Sequence, residues 1–271
     1  MDNKTVYYTK PEDKTLREYR VYKHRIGTPI ASDSLVFEEL DKTMQISLSL
    51  STSKQYIVMN VSKTKSSEAW YFPANGNSSK PVLFLKREPD ILYSINHLEG
   101  DEFMIYTNRD KAINGKLMFT KINESNPSKW KTLIPHRENV LADGDDVTKD
   151  YLVLSEKENA QDRIRIINRK TNESIYFDPG IQNYGIGFSF EDYDYNTSKI
   201  LEINYSNMIT PSQTYSYNLE TGEKKFITQD TVQGKFSPND YETTRIYAPA
   251  RDGKQVPITL VYKKGIKLDG N

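Results

Sequence analysis

The residues able to do chemistry are few in this chain, and they are scattered. There is no cysteine, which removes disulfides, thiolate metal sites and a thiol nucleophile together. The histidines are His24, His97 and His136. They lie far apart, with no i, i+4 pair and no close acidic partner. Each reads as a strand or turn histidine with a satisfied hydrogen bond, not as a metal ligand or base. Asp143-Gly144-Asp145-Asp146 has the composition of a calcium loop, but it lacks the alternating acidic ligands and the bidentate glutamate at the twelfth position. It reads as the turn after a strand. Asp192 and Asp194, interleaved with Tyr193 and Tyr195, stand at the corresponding place one repeat later. Glycoside hydrolysis needs two carboxylates across a cleft, and nothing in the sequence places two so. Arg137 and Glu138 fall in a connection between repeats, where a partner domain or a substrate can be met; the plainer alternative is a local salt bridge. Trp70 and Trp130 lie in or near outer strands and read as packing residues. No cofactor and no metal is expected.

The elements that must carry these residues are strands in a repeat. Strand-like segments begin at Met44 (MQISLSL), Ile91 (ILYSINHL), Glu138 (ENVLADGDDV) and Tyr184 (YGIGFSF), so the pattern recurs every 46 or 47 residues. Each is followed by a second strand (YIVMNV, EFMIYT, YLVLSE, KILEINY), a third (EAWYFP, KLMFTKI, RIRIINR, QTYSYNL) and a fourth (VLFLKR, WKTLIP, SIYFD, KFITQD). Four strands in such a period is the rhythm of a β-propeller blade. Turn signals separate them, among them Glu99-Gly100-Asp101 and Thr221-Gly222-Glu223. Residues 1–40 read as the last two or three strands of an earlier blade. Their edges predict exposed tyrosines at Tyr7, Tyr8, Tyr19 and Tyr22. The repeat stops near Asp230, and residues 243–262 (TTRIYAPARDGKQVPITLVY) read as two strands around Arg251-Asp252-Gly253, outside the blade phase. The expected fold is all-β, about four and a half four-stranded blades.

Composition agrees. Tyrosine is frequent, 19 of 271 residues, and aromatic and β-branched residues suit half-buried pleated surfaces. Lys+Arg and Asp+Glu are both 37, so charge gives no reason to expect nucleic acid or an anionic membrane surface as partner. No run of apolar residues is long enough to span a bilayer as a helix. The first residues, MDNKTVYYTK, lack the apolar core of a signal peptide. With the absence of cysteine this favours a cytoplasmic location.

Several of these segments carry a resemblance in order along nearly the whole chain. RDGKQVPITLVYKKG (251–265) resembles the start of the catalytic domain of prolyl oligopeptidase-family serine peptidases. VYKHRIGTP (21–29), TSKQYIVMNVSKTKSSE (52–68), LIPHRENV (133–140), INRKT (167–171) and YSNMITP (205–211) resemble that family's propeller, the match being best to the oligopeptidase B group. The resemblance implies a seven-bladed propeller, incomplete here and spanning 1–240, with the start of an α/β-hydrolase domain at 241–271. It implies a serine endopeptidase cutting short peptides after Arg or Lys, with the propeller as a gate that selects substrates by size.

The family's serine sits in a Gly-x-Ser-x-Gly elbow. The nearest match, Gly187-Phe188-Ser189-Phe190-Glu191, lacks the second glycine and lies in a blade. The triad and the acidic residues that take a basic side chain are therefore expected beyond Asn271, and no catalytic residue carries over. The implied partners are oligopeptide substrates and the missing catalytic domain. Two other readings stay open: a post-proline-cleaving relative, and a freestanding propeller that binds peptides or proteins without catalysis. The strand pair at 243–262 favours a two-domain enzyme.

Overall fold

The computed structural model describes residues 2–77, 80–267 and 269–270. The described residues form strands and three single-turn 3-10 helices. Among the described residues no helix is long and apolar enough to cross a membrane.

Residues 1–40 give β1 (Thr5–Pro11), β2 (Glu18–Arg25) and β3 (Ser34–Glu38), a three-stranded antiparallel sheet in sequence order. Four complete blades follow. The first is β4 (Gln45–Leu50), β5 (Tyr56–Lys63), β6 (Ser66–Pro73) and β7 (Val82–Leu85). The second is β8 (Tyr93–His97), β9 (Glu102–Thr107), β10 (Lys116–Lys121) and β11 (Lys131–Ile134). The third is β12 (Val140–Val147), β13 (Tyr151–Glu158), β14 (Gln161–Asn168) and β15 (Ser174–Tyr176). The fourth is β16 (Gly185–Phe190), β17 (Ile200–Ser206), β18 (Gln213–Asn218) and β19 (Lys224–Gln229). All four are antiparallel meanders, the up-and-down blade that the repeat predicts. The last pair, β20 (Tyr241–Pro249) and β21 (Gln255–Lys263), forms a separate two-stranded hairpin. The chain divides into two compact units, 1–138 and 139–271.

The middle strands show why the sequence takes this form. A strand inside a stack of blades buries both faces, so it reads as a continuous apolar run rather than an alternation. On β5, Met59 and Val61 join Val21, Met44, Ile46 and Phe72 in one core. Val58 points the other way, into a core with Phe84, Tyr93, Phe103, Ile105 and Trp130. In the second unit, Tyr151, Val153, Ile164 and Ile166 of the third blade pack on Leu201, Ile203 and Tyr205 of the fourth. The last strands of the third and fourth blades have little to cover them: β15 and β19 are exposed along their lengths.

The blades of the first unit are also tied by polar contacts. The Ser67 hydroxyl donates to the carbonyl of Tyr93 and accepts from its N–H, both at 2.7 Å. The Tyr93 hydroxyl accepts from Ala69 N–H at 2.9 Å and donates to the Leu85 carbonyl. Arg87, between β7 and β8, reaches Glu39 Oε2 at 2.8 Å and Glu68 Oε2 at 3.1 Å. Both glutamates are buried. A buried carboxylate is tolerated when paired and hydrogen-bonded, and Glu68 also accepts from Trp70 Nε1 while Glu39 accepts from Asp41 N–H.

Two sequence expectations need correction here. Asp143-Gly144-Asp145-Asp146 is not a turn: it lies within β12. Ala142 pairs with Glu156 and Gly144 with Ser155, so a bulge absorbs Asp143 and lets the ladder resume with Asp145 opposite Leu154. The real turn between the first two strands is residues 148–150, closed by Thr148 N–H on the Tyr151 carbonyl. Asp192 to Tyr195, in contrast, do form a turn-rich connection between β16 and β17. The tyrosines of the partial blade are not bare either. Tyr7 packs edge-on against Phe72 at 4.9 Å, Tyr8 stacks on Tyr22 at 5.7 Å, and Tyr19 lies under the guanidinium groups of Arg17 and Arg20.

Candidate functional surfaces

Among the described residues, each one singled out for its chemistry sits in a definite local setting, and none of these settings is a catalytic constellation. His97 is fully buried on β8. Its Nδ1 accepts from the Ser53 hydroxyl at 2.7 Å and its Nε2 faces the Gly100 carbonyl at 3.2 Å. A serine beside a histidine suggests a nucleophile and its base, but the second nitrogen is held by a carbonyl rather than a carboxylate and no substrate reaches the ring. Burial lowers the His97 pKa, which keeps the ring neutral.

His24 does have an acidic partner, against the sequence reading. Its Nδ1 lies 2.7 Å from Asp33 Oδ1, and the Tyr8 hydroxyl donates to Asp33 Oδ2 at 2.8 Å. Desolvation pushes the Asp33 carboxyl up, and the hydrogen bonds from His24 and Tyr8 more than offset it, so its pKa is lowered. The cluster ties the β2–β3 loop to the sheet. His136 Nε2 is buried without a hydrogen-bond partner among the described residues. No group of three or more His, Asp or Glu among the described residues could hold a metal ion. Ser189 lies in mid-strand on β16, opposite Glu202, not on a strand-to-helix turn.

Arg137 and Glu138 form the connection from the second blade toward the third, as the sequence placed them. The side-chain amide of Asn114 donates to both their carbonyls, at 3.1 Å and 2.6 Å, which fixes the backbone there and leaves Glu138 exposed.

Two further features are set by the fold: the sequence names the residues of the first only as a turn and does not point to the second. The first is the pair of carboxylates on β12. Burial first, and the charge of Asp146 second, push the Asp145 carboxyl up to about 6. Burial raises Asp146 as well. Both groups lie on β12, the first strand of the third blade. The bulge that re-aims this strand is the only local signal, and the Asp-Gly composition hid it.

The second is an open cleft of about 570 Å³ in the second unit, lined by the β13–β14 hairpin, residues 181–184 and β20. Gln161 Nε2 donates to the Tyr184 carbonyl at 2.6 Å, and Arg245 reaches across from β20 to the Ala160 carbonyl at 3.5 Å. Through Arg245 the strand pair that stands outside the blade repeat touches the third blade, and the cleft lies at that junction.

Residues 1–230 match the family model for the prolyl oligopeptidase N-terminal β-propeller domain. The dipeptidyl aminopeptidase BI of Pseudoxanthomonas mexicana is 34% identical over 270 residues, which is 99% of this chain and 36% of that protein. The protease 2 of Moraxella lacunata is 28% identical, over 98% of this chain and 37% of that protein. Among solved structures, oligopeptidase B from Trypanosoma brucei superposes with a TM-score of 0.89 at 25% identity, covering 98% of this chain and 38% of that one. The chain thus spans a little over a third of the length of the relatives it matches. It belongs to the prolyl oligopeptidase family of peptidases, within which it supplies blades of the N-terminal β-propeller domain.

Proposed function

We propose that this chain is the substrate-selecting propeller portion of a serine peptidase that hydrolyses short peptides, with cleavage after Arg or Lys. The observation that carries the reading is the order of its parts: propeller-family sequence over 1–230, then a strand pair out of blade phase at 241–263. A freestanding binding propeller has no use for that pair, whereas a two-domain enzyme does. In this reading 241–271 opens an α/β-hydrolase domain. The serine nucleophile, histidine base, orienting carboxylate and oxyanion donors belong to that domain. The blades supply no reacting group. They surround the approach to the site, admit short flexible peptides and turn away folded chains. Asp145 and Asp146 on β12 are acidic groups that suit substrates with a cationic group, in keeping with a basic side chain. Binding of nucleic acid or membrane has no part in it, and a cytoplasmic location is proposed with it.

A second reading is favoured by one specific finding. A relative that matches the chain from end to end is named a dipeptidyl aminopeptidase. An enzyme of that kind must recognise the substrate's free α-ammonium group, which the β12 carboxylates also suit. The two are separated by assaying the longer polypeptide on matched fluorogenic peptides. Arg before the scissile bond should exceed Pro by about a hundredfold or more in kcat/KM, since a site carboxylate left without its cation discriminates strongly. Acetylation of the substrate N-terminus should leave endopeptidase turnover intact and abolish dipeptide release. Equal turnover with Pro sinks the Arg/Lys preference. Undiminished cleavage of a folded protein substrate sinks the gating role.

A further inference from the structure

The cleft at the junction of the third blade and β20 has a charge that no ion pair among the described residues balances. Arg163 is paired with Glu158 and stacked on the Tyr176 ring, its guanidinium carbon 3.7 Å from the ring centroid. Asp162, the nearest other carboxylate in the sequence of that hairpin, is held by Lys157 at 3.1 Å. Arg245 is half-buried and bonds only to neutral oxygens, Thr259 Oγ1 at 3.2 Å and the Ala160 carbonyl at 3.5 Å. Those contacts use Nε and one terminal nitrogen, so the other terminal nitrogen still carries donors aimed elsewhere. The cleft residues Glu158, Arg163 and Arg245 therefore leave one positive charge, flanked by Tyr184 and Tyr247.

The walls are set, not loose. Asn159 and Ala160 form the two-residue turn between β13 and β14 with φ of 51° and 56°, and Asn183 on the opposite wall has φ of 52°. Left-handed backbone at an alanine is disfavoured and persists only where its surroundings over-determine it. Here Arg245 holds the Ala160 carbonyl and Gln161 holds that of Tyr184. The volume is that of a small-molecule or peptide-terminus site.

From this geometry we infer that the cleft is a carboxylate-binding site, with Arg245 as the anchoring group, taking the carboxylate of a short peptide. The inference rests on the reading of the protein as one that handles peptides. Guanidinium and carboxylate match in shape, and a charge-assisted pair of this kind is strong when partly shielded. The two tyrosine rings suit the apolar flank of the residue that bears the carboxylate. The carboxylate has two sources in a peptide, its C-terminus or an acidic side chain, and the cleft chemistry is common to both.

The test is isothermal titration of the 271-residue chain with three probes: N-acetyl-Tyr-Ala with a free C-terminus, the same dipeptide amidated, and N-acetyl-Asp-Ala amide. Binding of the first and not the second assigns the C-terminus; binding of the third and not the second assigns the side chain. Either supports the site. Arg245→Gln should weaken the bound probe by about tenfold or more, the scale of one charged hydrogen bond lost. Glu158→Gln should strengthen it, because it frees Arg163 and doubles the net charge of the cleft. A loss of packing alone would not move the two variants in opposite directions. Equal binding of acid and amide, no heat with any probe at millimolar concentration, or the same affinity in both variants overturns the proposal. Peptidase activity of the longer polypeptide is read separately, so either result leaves that function decided on its own.

Discussion

Replacing Arg87 by methionine should be among the most destabilising single changes in the first compact unit. The guanidinium holds two carboxylates whose side chains are 4% and 5% exposed, with N–O distances of 2.8 Å and 3.1 Å. Methionine keeps the aliphatic stem and removes only the charge. Breaking a buried ion pair by deleting one partner costs about 3–5 kcal/mol, because the other charge stays buried without compensation. Two features moderate the cost here. Arg87 itself is 30% exposed, so water can enter where the guanidinium was. Glu39 and Glu68 also keep their bonds from Asp41 N–H and Trp70 Nε1. The expected loss is therefore about 3 kcal/mol, at the lower end of the range for such a deletion. For a urea slope of about 2–3 kcal/mol/M, the unfolding midpoint falls by about 1–1.5 M. Trp70 fluorescence reports the transition from inside the affected region. The triple variant Glu39→Gln, Glu68→Gln, Arg87→Met, with the charges gone together, should recover most of the loss. A midpoint for Arg87→Met within 0.3 M of the parent, on the order of 1 kcal/mol, would show that solvent screens the clasp and that the argument from burial is wrong.

Other consequences are open to measurement. Asp145→Asn should stabilise the chain at neutral pH and lose that advantage under acid. The folded carboxyl is raised to about 6 from 3.8, so the native state holds the extra proton and stability falls as pH rises through that window. The side chain keeps some contact with water, so the effect after screening is about 1–2 kcal/mol, read as the difference in melting between pH 4 and pH 8; a variant whose advantage grows in acid contradicts it. Phe103→Ala should cost about 3–5 kcal/mol, since the ring is fully buried and meets Tyr71, Phe84 and His97 edge-on; near-parental stability would mean the second-blade core is not packed as described. The isolated chain should self-associate as its concentration rises, because Ile246, Tyr247, Val256 and Val261 of the last hairpin and Phe226 and Ile227 of β19 are exposed; a single monomeric species across a sedimentation series from micromolar to hundreds of micromolar would disprove it.

The blades were legible because their signal is local. EFMIYT becomes β9, Glu102–Thr107, and KLMFTK becomes β10, Lys116–Lys121, with Glu99-Gly100-Asp101 turning the chain just before β9 and Gly100 at φ 64°. Asp143-Gly144-Asp145-Asp146 was misread because aspartate and glycine are poor strand formers, and tertiary pairing with β13 overrode that preference by spending one residue on a bulge. The site features were harder to see for a different reason. His24 meets Asp33 only after the β2–β3 loop folds back, and Arg87 meets Glu39 only when the partial blade and the first full blade share a core. Arg245 reaches Ala160 across 85 positions of chain. No spacing rule links such residues, so single-sequence reasoning could name Arg137 and Glu138 from their place between blades but could not find the cleft. The family resemblance was readable because it rests on ordered segments, not on any contact.

The central claim is that this chain is the non-reacting propeller part of a serine peptidase, and activity tests it most directly. Purified residues 1–271 and the longer polypeptide proposed to contain them should be assayed side by side on a fluorogenic peptide with Arg before the scissile bond, with and without a fluorophosphonate. The account predicts no turnover and no covalent labelling for residues 1–271, and turnover abolished by the reagent for the longer polypeptide. Hydrolysis by residues 1–271 alone that the fluorophosphonate stops would place a nucleophile within these blades and contradict the account.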